Sequence, residues 1–446
     1  MPISLTGSGT SRSLAPNTRR GTRPKVHTVA KVEVAAVSTR EDCLALDEGD
    51  ALAAQREQFT LNEGEIYLDG NSLGPVSRAV STRVNQVIST EWGRGLARGW
   101  SEAGWMEMPV RLGDRLAPLI GAQPGEVLVA DTLTFMLAKL IGGALDLRLD
   151  RHVVLTDVAN FHSDLYIVQA MAARAGRPVT VKAIERRALE SELSDDVALV
   201  MLTQVDYRSG EALDMKAITR AVHGAGALML WDLAHSAGAL PLDVTDAGVD
   251  FAAGCTYKYL NGGPGAPAFV YVRSAWQGVL QNPLPGWLGH ARPFSFESDY
   301  EPAKGMQSFV TSSPPVIALA ALDGALDVWD HVTIDEVRAK SLALTDLFIQ
   351  LVETRLPGIF DVVTPREHEK RGSQVALRHP DAYGVVQALI ECGVVGDFRA
   401  PDIARFGFAP LYLRYVDVFD GVERLVKVMN NERFLDPRFA TRRPVT

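Results

Sequence analysis

Short apolar runs, each closed by Gly, Pro or an acid, punctuate the middle of this chain: Val127–Ala130, 153–156, Val197–Thr203, 228–231 and Ala268–Val272. Runs of this length and setting predict buried strands. Between them, helical spacing of apolar positions predicts helices over 135–147 and 215–223. Strand and helix alternate from 127 to 272, the pattern of a mostly parallel sheet with crossover helices. Upstream, Leu44, Leu46 and Leu52 among acids predict a helix over 41–58, and a turn cluster at 67–75 leads into a second helix over 76–92. Downstream, a long helical stretch over 316–356 leads to a smaller α+β region. Strands are expected there at 375–377 and 411–415, and a helix at 383–392.

The first 38 residues break this rhythm. Arg12, Arg19, Arg20, Arg23, Lys25 and Lys31 precede the first acid, amid Ser, Thr, Gly and Pro, which predicts a disordered extension. Four divisions result: the extension over 1–38, an N-terminal segment over 39–75 that joins the small domain, a large domain over 76–315 and a small C-terminal domain over 316–446. A net charge of −9 offers no basic footprint for nucleic acid or anionic lipid, and no stretch is apolar enough for a membrane span. Cys43, Cys255 and Cys392 are too few and too scattered for a disulfide framework, which points to a reducing cytoplasm. The nine histidines show no close pairing of the metal-ligand kind, so no metal is expected.

Candidate chemistry concentrates at strand ends. The run 228–231 stops at Asp232, with His235 three residues on, and the next apolar segment delivers Tyr257 and Lys258 before Asn261, Gly262, Gly263, Pro264 and Gly265. In α/β proteins the reacting groups lie just beyond such ends. A lysine amine can hold an aldehyde cofactor covalently and later carry a proton, and a carboxylate can keep a pyridine nitrogen protonated; both roles suit pyridoxal 5′-phosphate. Glycines after the lysine let the backbone turn sharply beside it. Farther upstream, Asp131–Thr134 opens an apolar helix whose unpaired N–H groups suit an anion.

With these residues in view, the chain resembles the kynureninases, from about residue 41 to its end. The match is carried by the Asp232–Gly238 and Cys255–Gly265 segments and by Gly70, Asn71, Ser72, Leu73 and Gly74. The family consists of pyridoxal-phosphate hydrolases of fold type I, related to the class V aminotransferases, and the likeness is to its bacterial branch. It implies homodimers that hydrolyse L-kynurenine, or its 3-hydroxy form, to anthranilate or 3-hydroxyanthranilate and L-alanine in tryptophan degradation. It assigns Leu133, Thr134, Trp287 and Ser313 to the cofactor phosphate or its surroundings, and Phe161 to stacking on the pyridine ring. Ser163, Asp164 and Thr203 complete the cradle, with Asp232, His235, Tyr257 and Lys258. Arg405 is placed on the substrate carboxylate, Ser72 close to substrate and Trp100 against its aryl ring. His162 departs from a proline associated with that position and is expected as a solvated loop residue. His235 is expected to orient Asp232 or stack near the ring, Tyr257 to contact phosphate and relay protons, and Arg399 to serve as a surface salt-bridge partner.

Two other readings fit parts of this pattern. A cysteine desulfurase or selenocysteine lyase shares fold, cofactor and lysine position, and Cys392 lies at a comparable spacing after the lysine. The helical pattern before Cys392 makes it a core or helix-end thiol instead. A cofactor-binding regulator that kept the fold has no need of Lys258, so the Asp232, Lys258 and Arg405 set speaks against it.

Overall fold

A computed structural model describes residues 37–439 and 441–442. The basic stretch over 1–36 therefore lies outside the described residues. Among the described residues thirteen strands run in chain order: β1 (Ile66–Tyr67), β2 (Val127–Ala130), β3 (Val153–Asp157), β4 (Thr180–Ile184), β5 (Val197–Thr203), β6 (Leu228–Asp232) and β7 (Phe251–Gly254). They continue as β8 (Ala268–Val272), β9 (Asp361–Val362), β10 (Gln374–Arg378), β11 (Val394–Val395), β12 (Asp397–Arg399) and β13 (Ile403–Gly407).

Seven of them form the central sheet in the order β2-β8-β7-β6-β5-β3-β4. Neighbours from β7 to β4 pair parallel, while β8 runs antiparallel to both β2 and β7. The apolar runs are continuous because both faces are covered: on β6, Met229 and Trp231 pack into one core cluster and Leu228 and Leu230 into another. Parallel pairing also brings carboxyl ends together. Thr203 stands opposite Asp232, and Asp232 opposite Ala253. The architecture is the expected mixed α/β with a mostly parallel sheet.

A second, antiparallel sheet, β12-β13-β10-β9, packs with helices Ile334–Arg355, Ala382–Glu391 and Tyr415–Asn430 around a third cluster. Arg405 sits at its centre, opposite Ala376 on β10 and Asp397 on β12. A two-residue parallel pairing of β1 with β11 ties the N-terminal segment to this region.

Several expected elements differ. The helix over 41–58 is Arg40–Glu48, stopped at Gly49 and followed by a separate 3-10 turn, Ala53–Gln58. Between them Asp50 leaves the helical path to meet the buried Lys340 amine at 2.6 Å. The segment 411–415 is not a strand: it leads into helix Tyr415–Asn430, whose first N–H groups, Tyr415 and Val416, donate to the Asp47 carboxylate. A tertiary cap thus overrides the β-prone run. The stretch 316–356 splits into Val316–Ala325, a 3-10 turn Leu326–Asp330 and Ile334–Arg355, the last opened by a Thr333–Glu336 capping box. Among the described residues no helix is long and apolar enough to cross a membrane.

Candidate active site

The carboxyl ends of β5, β6 and β7 deliver the central cluster. Asp232 ends β6, buried, and its Oδ1 accepts the Ala234 N–H at 2.8 Å while Oδ2 takes the Thr203 hydroxyl at 3.5 Å. Asp164, in the first turn of helix His162–Ala172, shares a hydrogen bond with Asp232. Burial first, and then the Asp232 charge, pushes the Asp164 carboxyl well above the usual carboxylate range. Burial raises Asp232 too, but the Lys258 charge is the next influence there and opposes it, so Asp164 holds the shared proton and Asp232 accepts the hydrogen bond.

His235 and Lys258 meet directly: Lys258 Nζ lies 2.8 Å from His235 Nε2. His235 does not orient Asp232, whose oxygens have the partners just named; its ring is turned to the lysine instead. Burial, then the charges of Lys258, Arg405 and Arg399, holds the imidazole far below its ordinary pKa and therefore neutral. Tyr257 places its ring 5.9 Å from Lys258 Nζ and its carbonyl on the Gly74 N–H at 2.8 Å, so the turn over 69–75 abuts the lysine loop. The Tyr257 phenol is pushed upward by the adjacent Cys255 and by burial.

Arg405 is 1% exposed and heavily engaged. Its Nε donates to Asp397 Oδ1 at 2.8 Å, its Nη2 to Asp397 Oδ2 and to Ser72 Oγ at 2.9 Å, and its Nη1 to the Tyr207 carbonyl. Four of five N–H groups are in use, and the fifth is on Nη1. A substrate carboxylate would be received at the Nη1–Nη2 edge, where the Ser72 hydroxyl now sits. Arg399, expected as a surface partner, belongs to this cluster: it donates to Asp397 at 2.5 Å and to Ser72 at 3.3 Å. Sequence reasoning passed over Asp397 and Asp69. The signal for Asp397 was the alternation of Asp397, Arg399 and Arg405 across two short runs that pair as β12 and β13.

The remaining expected residues line the approaches. Phe161 caps helix His162–Ala172 and meets Tyr207 edge-on at 5.2 Å, with Ser163 half-buried behind it. His162 opens that helix, exposed, its ring 4.2 Å from that of Phe161; it is helical, not a loop residue. Leu133 and Thr134 begin helix Leu133–Asp146, whose N-cap residue Thr132 makes no side-chain cap. Asp131, just before it, adopts φ 48° and turns its carboxylate to Lys139 Nζ at 2.6 Å. Trp287 is partly exposed against Phe294, and Ser313 is exposed. Trp100 packs edge-on to Trp105 at 5.4 Å, and with Ser313, Asn261 and Gly74 it lines a largely apolar cavity of about 950 Å³. Neither Trp100 nor Trp287 is joined to the Lys258 cluster by a hydrogen bond or ring contact among the described residues.

These residues fit pyridoxal phosphate on structural grounds. Asp164 Oδ2 is a buried polar atom without a partner among the described residues, beside the Asp232 carboxylate and the Lys258 amine. An uncapped helix N-terminus suits a phosphate. Cys392 caps helix Ala382–Glu391, with Arg433 Nη1 3.4 Å from its sulfur.

Comparison with known proteins shows the family. A family model described as the kynureninase C-terminal domain matches residues 337–425. A kynureninase of Burkholderia pseudomallei (strain 1106a) is 49% identical over 416 residues, 92% of this chain and 100% of that protein. A kynureninase of Pseudomonas fluorescens is 47% identical over the same shares. Among solved structures, the apo cysteine desulfurase of Thermococcus onnurineus NA1 superposes with a TM-score of 0.72 at 17% identity, covering 85% of this chain and 97% of that one. At that identity the likeness concerns the fold alone.

Proposed function

The chain belongs to the kynureninase family, and from that premise we propose that it hydrolyses L-kynurenine to anthranilate and L-alanine with pyridoxal 5′-phosphate as cofactor. One observation carries the reading beyond family membership: Lys258 Nζ stands 2.8 Å from a buried, neutral His235, at the strand ends that also present Asp232. When bound, the cofactor supplies an aldehyde for the substrate amine and a ring that takes up electrons released at Cα.

The chain's own residues do the rest. Lys258 would anchor the cofactor and, as a free amine, would take the proton from Cα. Asp232, accepting a hydrogen bond from the protonated Asp164, would keep its charge and so keep the ring nitrogen protonated. Arg405 and Ser72 receive the α-carboxylate, which fixes the Cα–H bond relative to Lys258. Phe161 would cover the ring, Thr203 and Ser163 would flank it, and Leu133, Thr134, Ser313 and Trp287 would serve the phosphate. Water adds to the γ-carbonyl, the Cβ–Cγ bond breaks, and Cβ gains a proton, with Tyr257 as the nearest phenol to relay it. Trp100 faces the apolar cavity that suits the aryl ring.

The proposal extends to a cytoplasmic homodimer with the division into N-terminal segment, large domain and small domain given above. Three free thiols suit a reducing compartment. Exposed apolar side chains such as Trp92, Leu96, Phe294 and Phe296 suit burial against a second copy. Cofactor-loaded protein mixed with L-kynurenine should develop anthranilate fluorescence. A loaded protein that releases none sinks the reading.

A further inference from the structure

Gln374 is fully buried on β10, in the small sheet, yet it touches the loop that follows β5 of the large one. Its Nε2 donates to two backbone carbonyls, Asp206 at 3.1 Å and Tyr207 at 2.9 Å. Only the NH₂ end of an amide can serve two carbonyls, so the orientation of this amide is set by its partners. Oε1 is turned away from them, buried and without a partner among the described residues.

His235 presents the complementary orphan. Its Nδ1 is buried and unpartnered, its Nε2 faces Lys258 Nζ at 2.8 Å, and among the influences on the ring is a side-chain interaction with Gln374 that favours a proton on it. A neutral imidazole carries one proton, and its position decides which nitrogen can accept. Placed on Nε2, that proton would leave Nδ1 and Oε1 as two facing acceptors with no hydrogen between them. Placed on Nδ1, it satisfies both orphans.

We propose that Gln374 is a positioning residue for the catalytic amine: its Oε1 accepts a hydrogen bond from His235 Nδ1–H and so fixes the tautomer whose Nε2 lone pair faces Lys258. The amine N–H is thereby aimed along one direction before cofactor or substrate arrives. The Tyr207 carbonyl that orients Gln374 is also the one that receives Arg405 Nη1. One buried amide therefore links the carboxylate-binding arginine to the lysine, so that the small sheet controls a tautomer in the large one. Its importance for turnover rests on Lys258 being the catalytic amine, as read above; the tautomer itself does not.

Nitrogen NMR of ¹⁵N-histidine in the full-length chain tests this, with His235→Gln identifying the signal. Before and after loading with pyridoxal phosphate, Nδ1 should show the shift of a proton-bearing nitrogen. In Q374L, which removes the acceptor, the Nδ1–H form should lose population to Nε2–H and kcat should fall roughly tenfold, as for comparable outer-shell partners. In Q374E, which keeps an acceptor at that place, Nδ1 should again bear the proton. A bare Nδ1 in the unaltered chain overturns the proposal, whether or not Q374L folds, and so does a tautomer unchanged in a folded Q374L. Absence of kynurenine cleavage alongside a proton on Nδ1 would instead count against the activity and leave the tautomer standing.

Discussion

Asp397 meets Arg405 side-on, with Nε 2.8 Å from Oδ1, Nη2 on Oδ2 and neither side chain more than 3% exposed. A guanidinium held this way cannot swing, and its remaining N–H, on Nη1, is presented in a fixed plane beside the Ser72 hydroxyl. Lysine in its place keeps a charge for Asp397 but loses the fork. R405K should therefore raise KM for kynurenine roughly 10- to 100-fold, a loss of about 1.4–2.8 kcal/mol. Steady-state kinetics decide, and an unchanged KM would remove Arg405 from the carboxylate site.

Lys258 is the amine on which the chemistry is placed. K258A removes both the covalent anchor and the proton acceptor, and activity should drop by roughly 10⁴-fold. The visible band of covalently held cofactor should disappear with it. A variant that keeps its colour on gel filtration and still turns over would show that another group does this work.

A pH effect on stability is expected at Asp69. Burial first, and then the nearby Asp397 charge, pushes its carboxyl up to about 7, against an unfolded value of 3.8. Between those values the folded chain binds more protons than the unfolded one, so stability should fall as pH rises from near 4 through 7 and level off above. D69N removes this titration. Relative to the unaltered chain it should gain roughly 2–4 kcal/mol between pH 4 and 8. Chemical denaturation at several pH values reads the difference, and parallel pH curves for the two proteins would refute it.

Cys392 tests the desulfurase-like alternative. Its sulfur sits at a helix end beside Arg433, away from the strand ends that carry Lys258. C392A should leave kynurenine cleavage within about twofold, as surface-proximal substitutions do. Loss of turnover in a folded C392A would reopen the thiol chemistry.

What was legible in the sequence follows from range. Six of the seven central strands could be read because they are apolar runs buried on both faces, a local signal; β4, an exposed edge strand of mixed polarity, offers none and was not expected. Asp232 and Lys258 were legible because strand ends fall where those runs stop. Partnerships across hundreds of residues were not: Ser72 with Asp397, Gln374 with the Tyr207 carbonyl and Lys340 with Asp50 have no local signature. The strand expected at 411–415 became a helix start because Asp47, far away in sequence, caps it. Asp131 and Thr132 do look like an N-cap locally, but a buried lysine two turns along the helix claims the aspartate.

That lysine yields the last prediction. Lys139 is fully buried, with Nζ 2.6 Å from both Asp131 Oδ2 and the Phe309 carbonyl. It joins the turn before helix Leu133–Asp146 to the loop that ends at Ser313, the two backbone segments assigned to the phosphate. Thr311, on the same loop, also reaches Asp131, at 3.3 Å. K139M would leave the Asp131 carboxylate without its cation, at a cost of about 1–3 kcal/mol, since Asp131 is 33% exposed and keeps the Thr311 hydroxyl. Thermal unfolding should register the loss, and affinity for pyridoxal phosphate should fall with it as the two segments drift apart. Adding D131N to K139M removes the stranded charge and should recover part of the stability, but not the cofactor affinity, because the tie between the segments is still missing. A K139M protein that unfolds earlier yet binds the cofactor as tightly as before would confine Lys139 to the stability of the fold.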